Sequence, residues 1–540
     1  MRFVSILGLV ALLGLAWAMS YHRKEVSLRP VFWGIGLQFV LALIILRQDY
    51  WSFVGMSVLA GLIILFMLER PNEDGSGNWR HGAMVLAASL VVGAALTQLP
   101  TRWLGVAAIL VLAVIALNSR FAFAAPAQRF LGAAFVLLGV SWLIAGQIYG
   151  KEIFEVFSTK VASFLNLSDY GAKFLFGNLS VPAYNFPSAD GGWPGFGALF
   201  AFKVLPTIIF FGGFMGVLYY LGIMQKLIES LSRFMRWTIG TSGAETLSCT
   251  ANVFVGQTEA PLLIRPFLDG MTRSELLTIM VGGFATIAGG VLAGYIAFGV
   301  PAGHLIAASV MSAPAALVFG KIIFPEKEHS QTAGDLKMPD IDVGGNAIEA
   351  ATNGISDGLK LALNVGAMLI GFIALIAVID VLLSFFDRLI DGRLLGGAFV
   401  AYDASGMSPV VGEYQGFFPG SLQTFFGTIL RPLAWLIGVP WADAALVGNL
   451  LGVKLSLNEF VAYGTLGGYL QEGLLSERAA IISTYALCGF ANFSSIGIQI
   501  GGISAIAPGR RSDLAKVGLK AMFGGALASW STATIAGFLY

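Results

Sequence analysis

Two short polar stretches interrupt a chain that is otherwise strongly apolar, and each contains one mid-segment carboxylate, Glu259 or Glu459. An ionised side chain inside a bilayer costs at least ~2.5–3.5 kcal/mol on insertion scales, so acids at such positions mostly serve a function. We therefore predict functional roles for both acids. The alternative for Glu259 is a structural carboxylate that pairs with a backbone donor or with Arg265.

Amide and hydroxyl side chains accompany these acids, and such groups can both donate and accept hydrogen bonds. Two of them directly precede Glu259, and three more lie in a second polar stretch further along the chain. They are Gln257, Thr258, Asn492, Ser494 and Ser495. A substrate that is recognised through several hydrogen bonds needs groups of this kind, so both stretches are candidate parts of a substrate site.

Gly256 and Phe490 adjoin the same stretches. Gly256 fits a tight turn or a close approach of the backbone to a ligand, although simple helix packing also accounts for it. Phe490 offers a flat apolar face to a substrate. For Phe490 taken alone, core packing is the simpler interpretation.

A cation site is a further possibility within these segments. Asn252 offers a side-chain carbonyl, Thr286 offers a hydroxyl, and unwound backbone near Val255 and Ile287 would offer carbonyl oxygens. Neutral hard oxygens in a small cage suit Na⁺ as they suit other hard cations. The alternative for Asn252 is a cap on a helical turn, and the spacing does not choose between the two.

The composition is that of a membrane protein. Of the 540 residues, 56% are hydrophobic and 12% are charged, about half the charged fraction of an ordinary soluble domain. Apolar runs of roughly 17–25 residues, each long enough to cross a bilayer as a helix, recur along the chain. The net charge of +1 implies no nucleic acid as a partner, and the four histidines form no zinc or iron ligand cluster.

We predict an all-α polytopic membrane protein with about twelve spans. They are 1–19, 31–47, 51–68, 83–98, 104–118, 130–148, 197–222, 272–298, 302–324, 358–386, 478–508 and 511–540. The first resembles a cleavable signal peptide, but the basic residues that follow it favour a retained span with the N-terminus outside. Most basic clusters then lie on the cytoplasmic side, and both termini are predicted outside.

Three segments differ from ordinary spans. The pattern over 153–176 predicts a helix in the membrane interface or an ordinary surface helix. Segments 240–268 and 441–473 are only moderately apolar and contain Gly, Asn and Glu, so we predict two re-entrant hairpins. Each precedes a long span that carries Ser-Glu near its start and Gly-Phe-Ala further on. The pair predicts inverted repeats with broken transmembrane helices, an architecture that places substrate and ion near the midplane.

Several motifs resemble those of the concentrative nucleoside transporters. They are Asn252-Val-Phe-Val-Gly-Gln-Thr-Glu-Ala-Pro-Leu, Asn458-Glu-Phe-Val-Ala-Tyr463 and Cys488-Gly-Phe-Ala-Asn-Phe-Ser-Ser-Ile-Gly497, with FLFGNL at 174–179, FKVLPTIIFFGG at 202–213 and ALNVGAMLI at 362–370. The likeness covers 1–48 loosely and about 150–540 throughout. It implies a homotrimer in the plasma (inner) membrane, with a scaffold around a mobile transport domain, and cation-coupled uptake of nucleosides without an organic cofactor.

The resemblance also implies roles for single residues. The nucleobase would face Gln257, Thr258 and Glu259, next to Gly256. The ribose hydroxyls would be held by Glu459, Asn492 and Ser495, and Phe490 would line the pocket. Sodium would bind Asn252, Thr286 and the backbone carbonyls of Val255 and Ile287.

The resemblance and the spans together divide the chain into seven segments. These are N-terminal scaffold helices (1–50), an inserted four-span segment (51–148), an interfacial helix and scaffold span (149–239), a first transport repeat (240–324), a linker and scaffold span (325–430), a second transport repeat (431–510) and a C-terminal span (511–540). The inserted segment departs from the family pattern. Its even number of spans preserves the topology downstream.

Three other functions compete with a sodium-coupled symporter. A proton-coupled nucleoside symporter is the nearest, since Glu259 or Glu459 could carry the proton. An integral-membrane enzyme would need a nucleophile or acid–base motif, and no GxSxG, HExxH or paired Cys/His motif occurs. A channel fits less well, because paired hairpins with polar tips suit alternating access better than an open pore.

Overall fold

The computed structural model describes residues 2–68, 79–121, 124–181, 199–332, 344–397 and 416–540. Within these ranges the chain is helical, with no β-strand. The helices of the first half are α1 (Arg2–Ala18), α2 (Leu28–Leu46), α3 (Tyr50–Leu68), α4 (Trp79–Leu96), α5 (Thr101–Phe121), α6 (Ala125–Ala145), α7 (Gly150–Leu165), α8 (Ser168–Phe176), α9 (Phe200–Tyr220), α10 (Ile223–Ile239), α11 (Gly243–Ala251), α12 (Arg273–Ala285), α13 (Gly289–Ala297) and α14 (Ala302–Ile323).

The second half contains a further seven α-helices in its described part. They are α15 (Ala347–Asp387), α16 (Leu422–Leu436), α17 (Ala444–Ser456), α18 (Glu459–Gln471), α19 (Glu477–Ala486), α20 (Phe493–Ile506) and α21 (Arg511–Leu539). A 3₁₀ helix over Ala260–Gly270 follows α11. The fold class is therefore all-α, as predicted.

Seven helical segments among the described residues are long and apolar enough to span a membrane. They are Leu28–Leu46, Tyr50–Leu68, Ala125–Ala145, Ala201–Tyr220, Arg273–Ala297, Ala302–Ile323 and Pro508–Leu539. Shorter apolar helices cover Arg2–Ala18, Gly82–Leu96 and Thr101–Leu117. The chain is thus a multi-pass membrane protein, and each of the twelve predicted spans coincides with helix in the described residues.

Two helices were not predicted. Helix α10 is amphipathic, with Ile228, Met235 and Ile239 buried on one face and basic side chains on the other. Helix α16 precedes the second hairpin as α10 precedes the first. In each half of the chain, a long span is followed by an amphipathic helix, a hairpin, a broken span and a final span.

The two hairpins are built from helices that are too short to cross a bilayer. Helix α11 has nine residues, a length of about 14 Å, whereas the hydrocarbon core is ~30 Å thick. Helices α17 and α18 have 13 residues each and pack against one another. Paired helices of this length are consistent with the predicted re-entrant hairpins.

A glycine seam joins the long spans α9 and α15. A Cβ atom on Gly212 would lie 2.5 Å from the Gly354 carbonyl oxygen, and one on Gly354 would lie 2.3 Å from the Gly212 oxygen. Small residues at such a crossing let two membrane helices approach closely and gain dispersion contacts. This seam joins the span that opens the first half to the span that opens the second.

A buried polar cluster ties the start of the first hairpin to its neighbours. Ser242 with Glu245, and Thr272 with Glu275, form capping boxes at the N-termini of α11 and α12. Lys321 Nζ lies 2.8 Å from Glu245 Oε2. Because its members come from α11, α12 and α14, the cluster holds the first hairpin, the broken span and the final span of this half together at one end.

Helices α3–α6 form a layer beside this core. They pack on one another, and α3 also contacts α2. The aromatic rings of Phe53 and Tyr149 stack with centroids 4.7 Å apart, which joins α3 to the start of α7. The predicted interfacial helix over 153–176 consists of two helices, α7 and α8. The assignment of 51–148 as an insertion stays a prediction.

Candidate functional site

The two broken spans meet at their breaks. The first break separates α12 from α13 and lies between Ala285 and Gly289. The second separates α19, which ends at Ala486, from α20. Gly489 in the second break has a φ of +103°, a conformation that glycine adopts without strain. A Cβ atom at Gly489 would lie 2.4 Å from the Phe284 carbonyl oxygen, so glycine is required for this contact.

Glu459 is the centre of a hydrogen-bonded group at the second break. Its side chain is 4% exposed. Tyr295 OH donates to Oε1 at 3.1 Å, and Asn492 Nδ2 donates to Oε2 at 3.3 Å. Glu459 is also the first residue of α18, where the helix dipole favours a negative charge. The carboxylate that was predicted to be functional is therefore held in one orientation by both halves of the chain.

Asn492 connects this group to the rest of the site. It is the N-cap of α20, and its Oδ1 accepts hydrogen bonds from the Ser495 amide at 2.9 Å and from Ser494 Oγ at 2.7 Å. An N-cap side chain satisfies amide groups that the first helical turn leaves unpaired. The break thus orients Asn492 between Glu459 and the first turn of α20.

Gln257 brings the first hairpin into the same network. Its side chain is 8% exposed, and its Nε2 donates to Ser495 Oγ at 3.3 Å. Its Oε1 accepts from Gln499 Nε2 at 3.0 Å, and Gln499 Nε2 also donates to the Met280 carbonyl oxygen at 3.2 Å. Gln499 was not predicted. It lies four residues after Ser495, on the same face of α20.

The remaining predicted substrate residues surround this network. The side chain of Glu259 is exposed, and those of Thr258 and Phe490 are half-buried. A Cβ atom on Gly256 would lie 2.1 Å from Glu259 Oε2, so a side chain at this position would displace the Glu259 carboxylate. No ion pair among the described residues joins Glu259 to Arg265, but backbone groups of Gly256 and Glu259 hydrogen-bond its carboxylate, so the alternative of a backbone-paired acid stays open.

The predicted cation ligands lie at the first break. Asn252 is 1% exposed and ends α11, where its Nδ2 donates to the Ser248 carbonyl oxygen at 3.1 Å. Within the described part of the chain, no hydrogen-bond donor reaches its Oδ1. Asn252 therefore caps a helical turn with its nitrogen and has an oxygen left over. A buried oxygen without a partner is costly unless a ligand satisfies it.

Thr286 and Ile287 lie beside this oxygen-bearing segment. Both are 1% exposed, and Thr286 Oγ1 donates to the Gly282 carbonyl oxygen at 2.8 Å, which leaves its lone pairs available as acceptors. The Gly289 amide donates to the Phe254 carbonyl oxygen at 3.2 Å and so brings 252–255 next to 286–289. The donor set consists of neutral oxygens, which fits Na⁺.

Two more residues of the site, Tyr295 and Lys454, were not predicted from the sequence. Tyr295 lies in α13, and its ring stacks on that of Tyr463 with centroids 4.3 Å apart. Lys454 lies in the last turn of α17 and is fully buried. Tyr295 has no local signal in the sequence, whereas Lys454, a charged residue inside the predicted hairpin 441–473, could have been found by the cost argument that indicated Glu459.

The chain has two hairpins, two broken spans and a polar site where the two breaks meet. This combination is typical of a secondary transporter. Three family models match the chain in order: "Na+ dependent nucleoside transporter N-terminus" over 7–68, "Nucleoside recognition" over 201–302 and "Na+ dependent nucleoside transporter C-terminus" over 304–537. The chain belongs to the family of concentrative nucleoside transporters, as its motifs predicted, and it is a transporter and not an enzyme.

Individual relatives agree with this assignment. An uncharacterized transporter of Haemophilus influenzae is 44% identical over 438 residues, which cover 80% of this chain and 96% of the relative. Sodium/nucleoside cotransporter 1 of Mus musculus is 42% identical over 406 residues, which cover 72% of this chain and 56% of the relative. The first family match ends at residue 68 and therefore includes α3.

Solved structures of the family member CNTnw show the same fold. CNTnw in an inward-facing substrate-bound state has a TM-score of 0.69 and 32% identity, with 99% of this chain and 98% of that chain covered. A CNTnw variant in an outward-facing state has a TM-score of 0.70 and 32% identity, with 100% and 97% covered. This fold is therefore one that adopts both inward-facing and outward-facing states.

Proposed function

We propose that this protein is a sodium-coupled symporter that imports nucleosides across the plasma membrane by alternating access. The observation that carries the proposal is the hydrogen-bonded chain through Tyr295, Glu459, Asn492, Ser495 and Gln257, which joins the two repeats around one polar site. A nucleoside combines a flat base with vicinal hydroxyl groups. The site offers acceptors and donors for both parts.

The second repeat holds the ribose in this proposal. Glu459 accepts hydrogen bonds from the sugar hydroxyls, while Asn492 and Ser495 donate and accept beside it. Hydrogen bonds to a charged acceptor contribute about 1.5–3 kcal/mol each. Because Glu459 is already oriented by Tyr295 and Asn492, little ordering is needed when the sugar binds.

The first repeat holds the nucleobase. Gln257, Thr258 and Glu259 supply an amide, a hydroxyl and a carboxylate to its polar edge, and Phe490 lies against its face. The Gln257 carbonyl oxygen accepts from Gln499 and one of its amide hydrogens is donated to Ser495, so the second amide hydrogen is the group that it presents. Gly256 keeps the hairpin backbone close to Glu259.

Sodium binds Asn252, Thr286 and the carbonyl oxygens of Val255 and Ile287 in this proposal. The unpartnered Oδ1 of Asn252 supports it. One monovalent cation gains about 2.3 kcal/mol per 100 mV, and a tenfold gradient adds about 1.4 kcal/mol. Together these sustain a nucleoside concentration ratio of roughly a few hundred-fold, so one ion per nucleoside suffices.

Two features of the assembly complete the proposal: a homotrimer, and both chain termini outside the cell. Contact between protomers would cover part of the scaffold surface and leave the site in each protomer free to move. Cross-linking of the purified protein in detergent tests the trimer, and protease access to tagged termini in intact cells tests the topology.

The direct test of function is uptake of radiolabelled uridine and adenosine into proteoliposomes. Sodium-driven accumulation is expected for the native protein and is expected to fall at least tenfold in Asn252→Ala. The matched control is Asn449→Ala, which removes another buried asparagine outside the cation site. Accumulation that follows a pH gradient without sodium would instead show a proton-coupled symporter, and absence of uptake by folded protein would contradict the substrate class.

A further inference from the structure

Lys454 binds the second break directly. Its Nζ donates to the Ala486 carbonyl oxygen at 3.0 Å and to the Cys488 carbonyl oxygen at 2.9 Å, and its side chain is 0% exposed. Ala486 is the last residue of α19, and Cys488 lies within the break. The last carbonyl groups of a helix have no intrahelical partner and carry the negative end of its dipole. An ammonium group satisfies both requirements.

The position of Lys454 in its hairpin matches that of Asn252 in the other hairpin. Asn252 directly follows α11, the first helix of the first hairpin, and Lys454 lies in the last turn of α17, the first helix of the second hairpin. The segment that follows Asn252 contacts the break of the next span, and so does Lys454. The two hairpins thus contact the two breaks in different ways, through the Phe254 backbone carbonyl at the first break and through the Lys454 ammonium at the second.

Broken transport helices commonly use the end of a half-helix and unwound carbonyl groups to bind coupling cations. At the first break, the neutral oxygens leave a place for such an ion. At the second break, the carbonyl groups of Ala486 and Cys488 are already occupied by the ammonium of Lys454, and Ser529 Oγ also donates to the Cys488 carbonyl oxygen at 2.5 Å. The second break is therefore satisfied by the chain itself.

We propose that Lys454 is a positioning residue that serves as a fixed cation for the second broken span, so that only the first break takes an ion from solution. This rests on the proposed sodium coupling and deepens it, because it assigns one sodium ion to each nucleoside. Lys454 keeps the second break in the geometry that places Asn492 and Glu459, and it does so without contact to the substrate.

The test replaces the fixed cation by a neutral oxygen ligand. In Lys454→Asn, the freed carbonyl oxygens of Ala486 and Cys488 and the new amide oxygen form a second cage of neutral oxygens. The sodium dependence of uridine uptake is expected to change from a Hill coefficient of about 1 to about 2, and the charge moved per nucleoside is expected to rise from one to two. Lys454→Arg keeps the cation and is expected to retain a Hill coefficient of about 1.

Controls separate this role from a purely structural one. Lys321→Asn removes another buried lysine, which pairs with Glu245 away from both breaks, and its sodium dependence is expected to stay that of the native protein. If the Lys454→Asn variant does not fold when it is purified in choline chloride, we expect it to fold when it is purified in sodium chloride of the same ionic strength. Failure in both salts would overturn the proposal.

The outcomes distinguish this proposal from the proposed function. Native uptake that does not depend on sodium overturns the sodium coupling and, with it, the role of Lys454. Native uptake that is driven by sodium, combined with a Hill coefficient near 1 in Lys454→Asn, overturns the fixed-cation role alone.

Discussion

The two halves of the transporter share one order of helices but place their charges differently. In the first half, the hairpin acid Glu259 is exposed, and the hairpin carries the neutral Asn252 with an unpartnered oxygen. In the second half, the hairpin acid Glu459 is buried and hydrogen-bonded, and the residue facing the break is Lys454 with both acceptors in place. One half is left open for ligands, and the other is satisfied by its own side chains.

This difference suggests a division of labour. A pre-organised group suits the part that substrates have in common, because its geometry need not adapt, and uridine and adenosine share the same ribose. In the proposed function, the more open half receives the parts that differ from the sugar: the variable nucleobase and the ion. Binding energy from one half can then be coupled to binding in the other through the shared contacts at the breaks.

The largest predicted effects come from substitution of the two hairpin acids, Glu459 and Glu259, and they test the difference between the two halves. Glu459→Gln is expected to lower kcat/KM for uridine and adenosine alike by roughly 100-fold, because each loses hydrogen bonds to a charged acceptor. Glu259→Gln is expected to cost roughly tenfold and to affect the two nucleosides unequally. Uptake kinetics in proteoliposomes measure both, and each variant is the matched control of the other.

Dideoxynucleosides sharpen the same experiment. A substrate without the 2′ and 3′ hydroxyl groups lacks the vicinal pair that is proposed to donate to Glu459, so Glu459→Gln and the native protein are expected to transport 2′,3′-dideoxyuridine with similar kcat/KM. A 100-fold loss on this substrate too would mean that Glu459 maintains the fold of the break and does not bind ribose.

A smaller effect tests how the first half reads the base. Gln499→Met removes the donor that occupies the Gln257 carbonyl oxygen and lets the Gln257 amide rotate. The ratio of kcat/KM for uridine and adenosine is expected to change about 3- to 10-fold, the size of one neutral hydrogen bond. Gln38→Met, at a fully buried glutamine bonded to Gly34, is the control. An unchanged ratio would remove Gln499 from base selection.

Much of the fold could be predicted from hydropathy, since each apolar run became a helix. Helix α10 could not, because its buried residues recur only on one face and its basic residues resemble a loop. Helix α16 contains Arg431 and Pro432, which lower its apolar character. A span is indicated by a continuous apolar run, whereas an amphipathic helix beside a hairpin depends on packing that only the tertiary structure supplies.

The site residues that lie within sequence motifs were predicted, and the residues outside these motifs were not. Gln257, Glu459 and Asn492 lie in recognisable stretches, but Tyr295 donates to Glu459 across 164 positions of sequence. Lys454 could be assigned no partner from sequence, since its acceptors are backbone oxygens 32 and 34 positions away. When a side chain bonds to backbone groups across a break, its partners cannot be recognised from residue types in the sequence.

The most direct test of the central claim is the affinity of the purified protein for uridine, measured by calorimetry with and without sodium, in the native protein and in Asn252→Ala. If the first half couples ion and nucleoside, sodium is expected to tighten uridine binding at least tenfold in the native protein and to have no effect in Asn252→Ala. Equal uridine affinity with and without sodium in the native protein would contradict the account.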